Sequence, residues 1–238
     1  MKIMSYNIHH GEGLDEVLSL ERIAKIIRDE KATIVGLQEV DRNFGERSDF
    51  QDQAKELAKL LDYHYVYAAN IDIAHTDGQA ENQQYGNAIL SMYPIKDSEN
   101  IPLTSYEDEP RGLLRALIDV CGTQLHVFNT HLSLESRSKR EQVKEIVEWT
   151  KNFEGSKVLI GDFNSEPDSE EIQALLGKSD LIDCFEDIAD NASYPSDNPE
   201  IRIDYIFASR QLEILNQSAL MREGSDHLPI IAEMKFRR

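Results

Sequence analysis

Cysteine is scarce in this sequence: Cys121 and Cys184 are two among 238 residues, and neither has metal-ligand spacing. That excludes a disulfide framework and a thiolate metal centre. Both sit in apolar patterns and are expected to be buried thiols. Long apolar runs are missing as well. No stretch approaches the ~18 residues that a membrane-spanning helix requires. Ser5 and Asn7 break the first apolar run too early for a signal-peptide core, so the expected location is the cytoplasm. Positive charge is in short supply, with 25 Lys and Arg against 44 Asp and Glu and a net charge of −19. Proteins that grip long nucleic acid take much of their affinity from neutralised phosphates. The balance therefore disfavours a dedicated duplex nuclease, although a local basic patch or bound cations could reverse it near a site. No cluster of Lys and Arg interleaves with aromatics as in single-strand-binding grooves. There is no HExxH, no GxSxG, and no phosphate-binding loop, since Gly11-Glu12-Gly13 lacks the glycine and lysine that would have to follow.

What remains is a chain of ordinary globular composition, 40% hydrophobic and 29% charged, long enough to bury a core without staples. No repeat, low-complexity tract or linker divides it, so residues 1–238 are expected to form a single domain. Short apolar runs predict strands over 2–8, 33–38, 64–69, 87–92, 113–120, 124–129, 157–160, 203–208, 212–217 and 229–236. Four helices are expected. The first carries Ile23, Ile26 and Ile27 and runs to about Asp29. The second carries Phe50, Ala54, Leu57, Ala58 and Leu61, opened by Ser48 with Gln51 three residues on. The third carries Val143, Ile146 and Val147, opened by Ser138 and Glu141. Asp168 and Glu171 open the fourth, and Gly177 stops it. Direct strand-to-strand connections suit two packed sheets flanked by helices better than one doubly wound sheet.

The apolar runs share one feature: they end in residues able to bind metal or move a proton. Asn7, Glu39, His131, Asp162 with Asn164, and Asp204 each follow such a run, and Asp226-His227 precedes the last one. Strand ends hand side chains to a loop rim, where sites are usually built. Any one of these residues could simply cap a turn; six occurrences together point to a site. Glu39, Asp226 and Asn7 offer hard oxygen donors suited to Mg²⁺ or Mn²⁺. His9 and His10 would point to opposite sides of a strand, which argues against their sharing an ion. Asp41 is expected to face solvent or pair with Arg42, His126 to be a satisfied structural histidine, and His75 to be solvated.

Ser5-Tyr6-Asn7, Leu37-Gln38-Glu39-Val40-Asp41, Asn129-Thr130-His131-Leu132, Gly161-Asp162-Phe163-Asn164, Ile203-Asp204-Tyr205-Ile206 and Ser225-Asp226-His227-Leu228-Pro229 resemble, in order, the motif set of the endonuclease/exonuclease/phosphatase family. The resemblance runs from residue 3 to about 231. It implies a four-layer α/β/β/α sandwich of two packed mixed sheets, DNase I-like, with the site at one rim. It also implies metal-dependent phosphoester hydrolysis by in-line attack of water. Carried over residue by residue, Glu39 would be the main metal ligand, with Asn7 beside it and Asp226 adding a contact. Asp162 would deprotonate the attacking water, and Asn164 would hold that water or a phosphate oxygen. His131 and His227 would bind non-bridging oxygens, and Asp204 would orient His227. Asn87, in a strand resembling the family's Gly-Asn-Ala-Ile-Leu, is expected at the substrate cleft, with Arg111 and Arg115 as further phosphate contacts. One departure stands out: His9 occupies a place where nuclease branches often carry an acidic residue. The segment around it resembles a bacterial branch of undefined substrate, as does the stretch from Tyr194 to Arg202, which precedes Asp204 closely enough to be expected to line the cleft.

The acidic surface, including Glu107-Asp108-Glu109, favours a small phosphorylated substrate such as a nucleotide, sugar phosphate or lipid-derived ester. A nuclease acting on DNA or RNA is the alternative, and a catalytically silent binding module a third reading.

Overall fold

The computed structural model of the protein describes residues 1–74, 81–189 and 191–237, so the expectation for His75 lies outside the described residues. Two six-stranded sheets form the centre. The first contains β1 (Lys2–Asn7), β2 (Ile34–Arg42), β3 (His64–Ile73), β4 (Gln83–Ser91), β11 (Leu212–Ala219) and β12 (Ile230–Phe236), in the order β11-β12-β1-β2-β4-β3. The second contains β5 (Ile95–Leu103), β6 (Arg111–Val120), β7 (Thr123–His131), β8 (Ser156–Asp162), β9 (Leu181–Asp183) and β10 (Asp204–Ser209), in the order β5-β6-β7-β8-β10-β9. Both are mixed: β1 runs parallel to β2 and β7 parallel to β8, while the other neighbours are antiparallel.

Helices α1 (Leu20–Glu30) and α2 (Gln53–Leu61) cover the first sheet, and α3 (Ser136–Lys151) and α4 (Glu170–Lys178) the second. This is the expected four-layer sandwich. Because successive strand residues face opposite ways, each sheet feeds two cores. Along β1, Met4 and Tyr6 pack under α1, whereas Ile3 joins the apolar layer between the sheets with Ile34, Ile89, Val127 and Ile160.

Three helix starts differ from expectation, two of them because another side chain reaches the free N–H groups. Asp52, not Ser48, caps α2 by accepting from the Lys55 N–H; Ser48 sits in a preceding 3₁₀ turn. Ser169 caps α4 by accepting from the Ile172 N–H, and Gly177 lies inside that helix. Helix α3 begins two residues before Ser138, whose hydroxyl donates instead to the Ser105 carbonyl and to Asp108. Two strands were not anticipated. β5 is rich in charge and contains Pro102, as suits an edge strand, and β9 is only three residues long. The cysteines differ from each other: Cys184 is buried, but Cys121 is exposed in the β6–β7 turn.

Polar groups also bind the sheets together. Gln38 Nε2 donates to Asn129 Oδ1 at 2.6 Å, and Asn129 Nδ2 donates to the Leu37 and Ala88 carbonyls at 2.9 and 2.8 Å. Gly36 lies hard against the other sheet: a Cβ there would stand 2.3 Å from Ile160 Cδ1 and 3.0 Å from Asn129 Cγ. Gly36→Ala is expected to lower the unfolding free energy by ~1–3 kcal/mol, the usual cost of overpacking a core. A shift of the urea midpoint at unchanged slope would show it, and an unchanged midpoint would refute the close-packing account.

Candidate active site

The sheet registers bring the strand-end residues together. His131 pairs with Asp162 across β7 and β8, and Asp162 with Asp204 across β8 and β10. Alternation puts all three on the face toward the other sheet, in line with Val127, Ile160 and Ile206 of the shared core. Opposite them, Asn7 ends β1 on the corresponding face. Its Nδ2 donates to Asp162 Oδ2 at 3.1 Å and to Glu39 Oε1 at 2.9 Å, so one amide spans both sheets. Asn7 Oδ1 accepts from the His9 backbone N–H at 3.1 Å, which fixes which end of the amide faces the carboxylates. The structure thus arranges Asn7 as a clamp on two carboxylates and does not present its oxygen to the cleft.

Glu39 reaches this place through a bulge. Leu37 pairs with Ala88 but Val40 pairs with Gly86, so Gln38 and Glu39 together oppose Asn87. Leu37 and Val40 consequently both pack under the helices. Glu39, with φ of 56°, is turned out to the rim. The Gly161-Asp162 step is similarly constrained, because a Cβ at Gly161 would stand 2.1 Å from the Thr130 carbonyl oxygen.

Asp162 and Asp204 are buried carboxylates on paired positions, a repulsive arrangement without a cation. His227 supplies it. Its Nδ1 lies 2.9 Å from Asp204 Oδ2, and its Nε2 lies 3.7 Å from Asp162 Oδ2. Burial works against the imidazolium, but the Asp204 and Asp162 carboxylates outweigh it and push His227 up to about 10. Burial, then Asp204, raises Asp162 to about 7 against the opposing pull of His227. His131 behaves in the opposite way: burial, with Arg111 and His227 nearby, holds it well below the ordinary histidine range.

Asn164 lies beside them. Its backbone N–H donates to Asp162 Oδ1 at 2.9 Å, and its Nδ2 donates to the Leu132 carbonyl at 2.9 Å and lies 3.1 Å from His131 Nε2. A neutral His131 that accepts there carries its proton on Nδ1, so it holds the Asn164 amide in place. Asp226 accepts from Ser225 Oγ at 3.0 Å and lines the same cleft.

The cleft measures about 530 Å³ and is bordered by Glu39, His131, Asp162, Asn164, Asp226 and His227, with Arg111 at its side. The buried Arg111 guanidinium pairs with Glu109 at 2.8 Å. Two expected residues stand elsewhere. Arg115 turns to the edge of the second sheet, where it pairs with Asp97 at 2.8 Å and stacks on Phe153. Asn87 is buried between the sheets, donating to the Gly112 carbonyl at 3.4 Å, because the bulge opposite it takes the rim position. Asp41 is buried and held by Arg47 at 2.8 and 2.7 Å; Arg42 pairs with Asp52 instead. His126 is not a satisfied histidine: its Nδ1 has no partner among the described residues.

Tyr85 and Leu134 border the cleft but carried too little sequence signal to be singled out. Tyr194, at the head of the stretch the sequence does mark, packs on His227 with ring centroids 4.8 Å apart. Ser193 donates to Asp204 Oδ2 at 2.6 Å. The backbone of this loop is tied to that of His227: Leu228 N–H donates to the Ser193 carbonyl, and Ser196 N–H to that of Asp226. The Tyr194–Arg202 stretch only partly lines the site, since Arg202 turns away to pair with Asp183 at 2.6 Å.

Known proteins share the sequence pattern and the fold. The model of the Endonuclease/Exonuclease/phosphatase family matches residues 4–227. An uncharacterized protein of Escherichia coli, YbhP, is 26% identical over 98% of this chain and 95% of its own length. An endonuclease/exonuclease/phosphatase from Beutenbergia cavernae superimposes with a TM-score of 0.82 at 25% identity, covering 99% of this chain and 71% of that one. A mannosyl-6-phosphatase of Bacteroides thetaiotaomicron shares the fold with a TM-score of 0.78 at 21% identity, over 99% of this chain and 100% of its own. The chain belongs to the Endonuclease/Exonuclease/phosphatase family, whose members hydrolyse phosphoesters and generally depend on divalent metal ions.

Proposed function

We propose that this protein is a divalent-metal-dependent phosphoesterase that hydrolyses small phosphate esters by in-line attack of water. The observation that carries the reading is the row His131, Asp162, Asp204 at the end of three neighbouring strands, faced across one cleft by Asn7 and Glu39. A base, a fixed cation and carboxylate ligands then converge on a space the size of a phosphate ester, which is what phosphoryl transfer asks of a protein.

Asp162 takes the proton from the attacking water; a carboxylate raised to about 7 suits that task near neutral pH. Asn164 holds the water or a phosphate oxygen, steadied by Leu132 and His131. His227, kept protonated by Asp204, donates from Nε2 to the oxygen on which charge builds up, and Arg111 offers a second phosphate contact. His131 acts through Asn164. The donor set fits a hard dication such as Mg²⁺ or Mn²⁺: Glu39 and Asp226 would hold it, with the Asn7 amide fixing Glu39. Such an ion would neutralise phosphoryl charge and acidify bound water.

The compact cleft and the charge of −19 favour a small ester over a polyanion. The fold shared with a mannosyl-6-phosphatase supports including sugar phosphates among the candidates. All 238 residues would make up a single catalytic domain.

Chromogenic phosphodiesters and phosphomonoesters should be hydrolysed with Mg²⁺ or Mn²⁺ and not in EDTA. Asp162→Asn and His227→Ala are each expected to lower kcat/KM by about 10²–10⁴-fold. Turnover in EDTA, or losses below tenfold in both variants, would overturn the assignment; activity on polynucleotide alone would shift it to the nuclease reading.

A second expectation concerns charge. The folded pKa of His227 lies above the ordinary value of 6.5, so its contribution to stability is complete below about 6.5 and is lost as pH rises through about 10. Nitrogen-15 NMR of the metal-free protein should find His227 protonated at pH 8, and Asp204→Asn should return it toward the ordinary range. A neutral wild-type His227 at that pH would contradict the ion-pair account.

A further inference from the structure

His9 and His10 do not lie in a strand. After β1 the chain enters a 3₁₀ turn in which both residues have φ of 43°, and their rings stand 4.4 Å apart at 58° to each other. Side chains that alternation would have sent to opposite faces are thereby brought to the same side. Each left-handed residue costs on the order of 1–3 kcal/mol, which the surrounding contacts must offset. Backbone hydrogen bonds hold the turn: Gly11 N–H donates to the Ile8 carbonyl at 2.7 Å and Glu12 N–H to the His9 carbonyl at 2.9 Å. Gln53 Nε2 donates to the His10 carbonyl at 2.5 Å from below.

The turn aims both imidazoles at Glu39. One donor atom from each of His9, His10 and Glu39 lies within 4.8 Å of the others. Glu39 gives Oε1 to the Asn7 amide, and its second oxygen has no protein donor among the described residues. Neither imidazole is hydrogen-bonded among the described residues, and Glu12 brings a further carboxylate to 3.6 Å from His10 Nε2. Arg47, the nearby cation, is neutralised by its two-pronged contact with Asp41. Donors of a four-coordinate ion with bonds near 2.0–2.1 Å stand ~3.3 Å apart. Closing that difference requires rotamer changes at His9 and Glu39, both only half-buried.

We infer that His9, His10 and Glu39 form a binding site for a first-row transition-metal dication at the edge of the cleft. Two imidazoles and one carboxylate leave a coordination position open. Imidazole donors favour Zn²⁺, Co²⁺ and similar ions, whereas Mg²⁺ keeps to oxygen. The inference meets the proposed activity through Glu39, the residue common to both ligand sets. Its consequence would be a metal preference shifted away from Mg²⁺ in this chain.

The test is to titrate the metal-stripped full chain with Co²⁺, following visible absorption, and to displace Co²⁺ with Zn²⁺ while monitoring histidine nitrogens by NMR. One Co²⁺ per chain is expected, with the His9 and His10 resonances perturbed. His9→Gln and His10→Gln should each weaken binding by more than the roughly 10- to 100-fold that an outer partner contributes, whereas His227→Ala should leave it intact. His9 is half-buried, so His9→Gln decides the matter even if the His10 variant folds poorly. Equal affinity in His9→Gln and wild type would overturn the inference, as would loss of binding in His227→Ala, which would place the ion with Asp162 and Asp204. Mg²⁺-dependent hydrolysis without a Co²⁺ band would sink this inference alone. A Co²⁺ band lost in His9→Gln, in a protein that hydrolyses no phosphate ester, would support it and sink the proposed activity alone.

Discussion

Asp162 and Asp204 stand directly opposite one another on β8 and β10, both buried on the face between the sheets. An ionised carboxylate taken out of water costs several kcal/mol, and two on paired positions also repel. The fold answers with an imidazolium and a set of donors that come from distant parts of the chain. His227 arrives from the segment before β12, Ser193 from the loop before β10, Asn164 from the turn after β8, and Asn7 from the other sheet. None is near both carboxylates in sequence. The mutual position of the two sheets and of two long loops is therefore tied to satisfying a pair of negative charges. That explains why the 193–196 and 225–228 segments are joined by backbone hydrogen bonds beside His227.

The same requirement explains how much of the site was legible in the sequence. A strand delivers alternate residues to one face, so Asn7, His131, Asp162 and Asp204 inherit the orientation of Ile3, Val127, Ile160 and Ile206. Apolar runs that end in a polar residue on the inward phase announce that residue as buried and in need of a partner. What the sequence does not give is the register between strands. His131, Asp162 and Asp204 become neighbours only through pairings between residues 31 and 42 positions apart in the chain.

Breaks in alternation mark where legibility ended. The bulge at Gln38 and Glu39 shifts the phase of β2, which turns Glu39 outward and leaves Asn87 buried opposite it. Glu39, marked by the apolar run before it, therefore stands at the cleft, whereas Asn87, expected there from the resemblance of its strand, does not. The left-handed turn at His9 and His10 reverses a conclusion that held only for an extended chain. Arg115 and Arg111 lie four residues apart on β6, on the same face by alternation. Their fates diverge because Asp97 and Phe153 capture one at the sheet edge, while the other, near the strand's start, reaches the cleft. Caps failed for a related reason: several Ser and Asp residues compete for each helix start, and tertiary contacts decide among them.

Charge in the cleft bears on what can enter it. The carboxylates of Glu39, Glu109, Asp162 and Asp226 line it, against the cations Arg111 and His227. Glu109 offsets Arg111, and His227 is shared between Asp162 and Asp204. A phosphate ester approaching the protein alone would meet a field that is negative nearby, at Glu39 and Asp226, and negative over the molecule as a whole. A dication at those carboxylates would reverse the sign locally while leaving the surroundings acidic. With the proposed ion in place, such a site would accept one compact phosphate and would repel the neighbouring phosphates of a polymer beyond the reach of that ion. In the proposed reaction, the acidity that first argues against a phosphate-binding protein becomes the means by which the size of the substrate is limited.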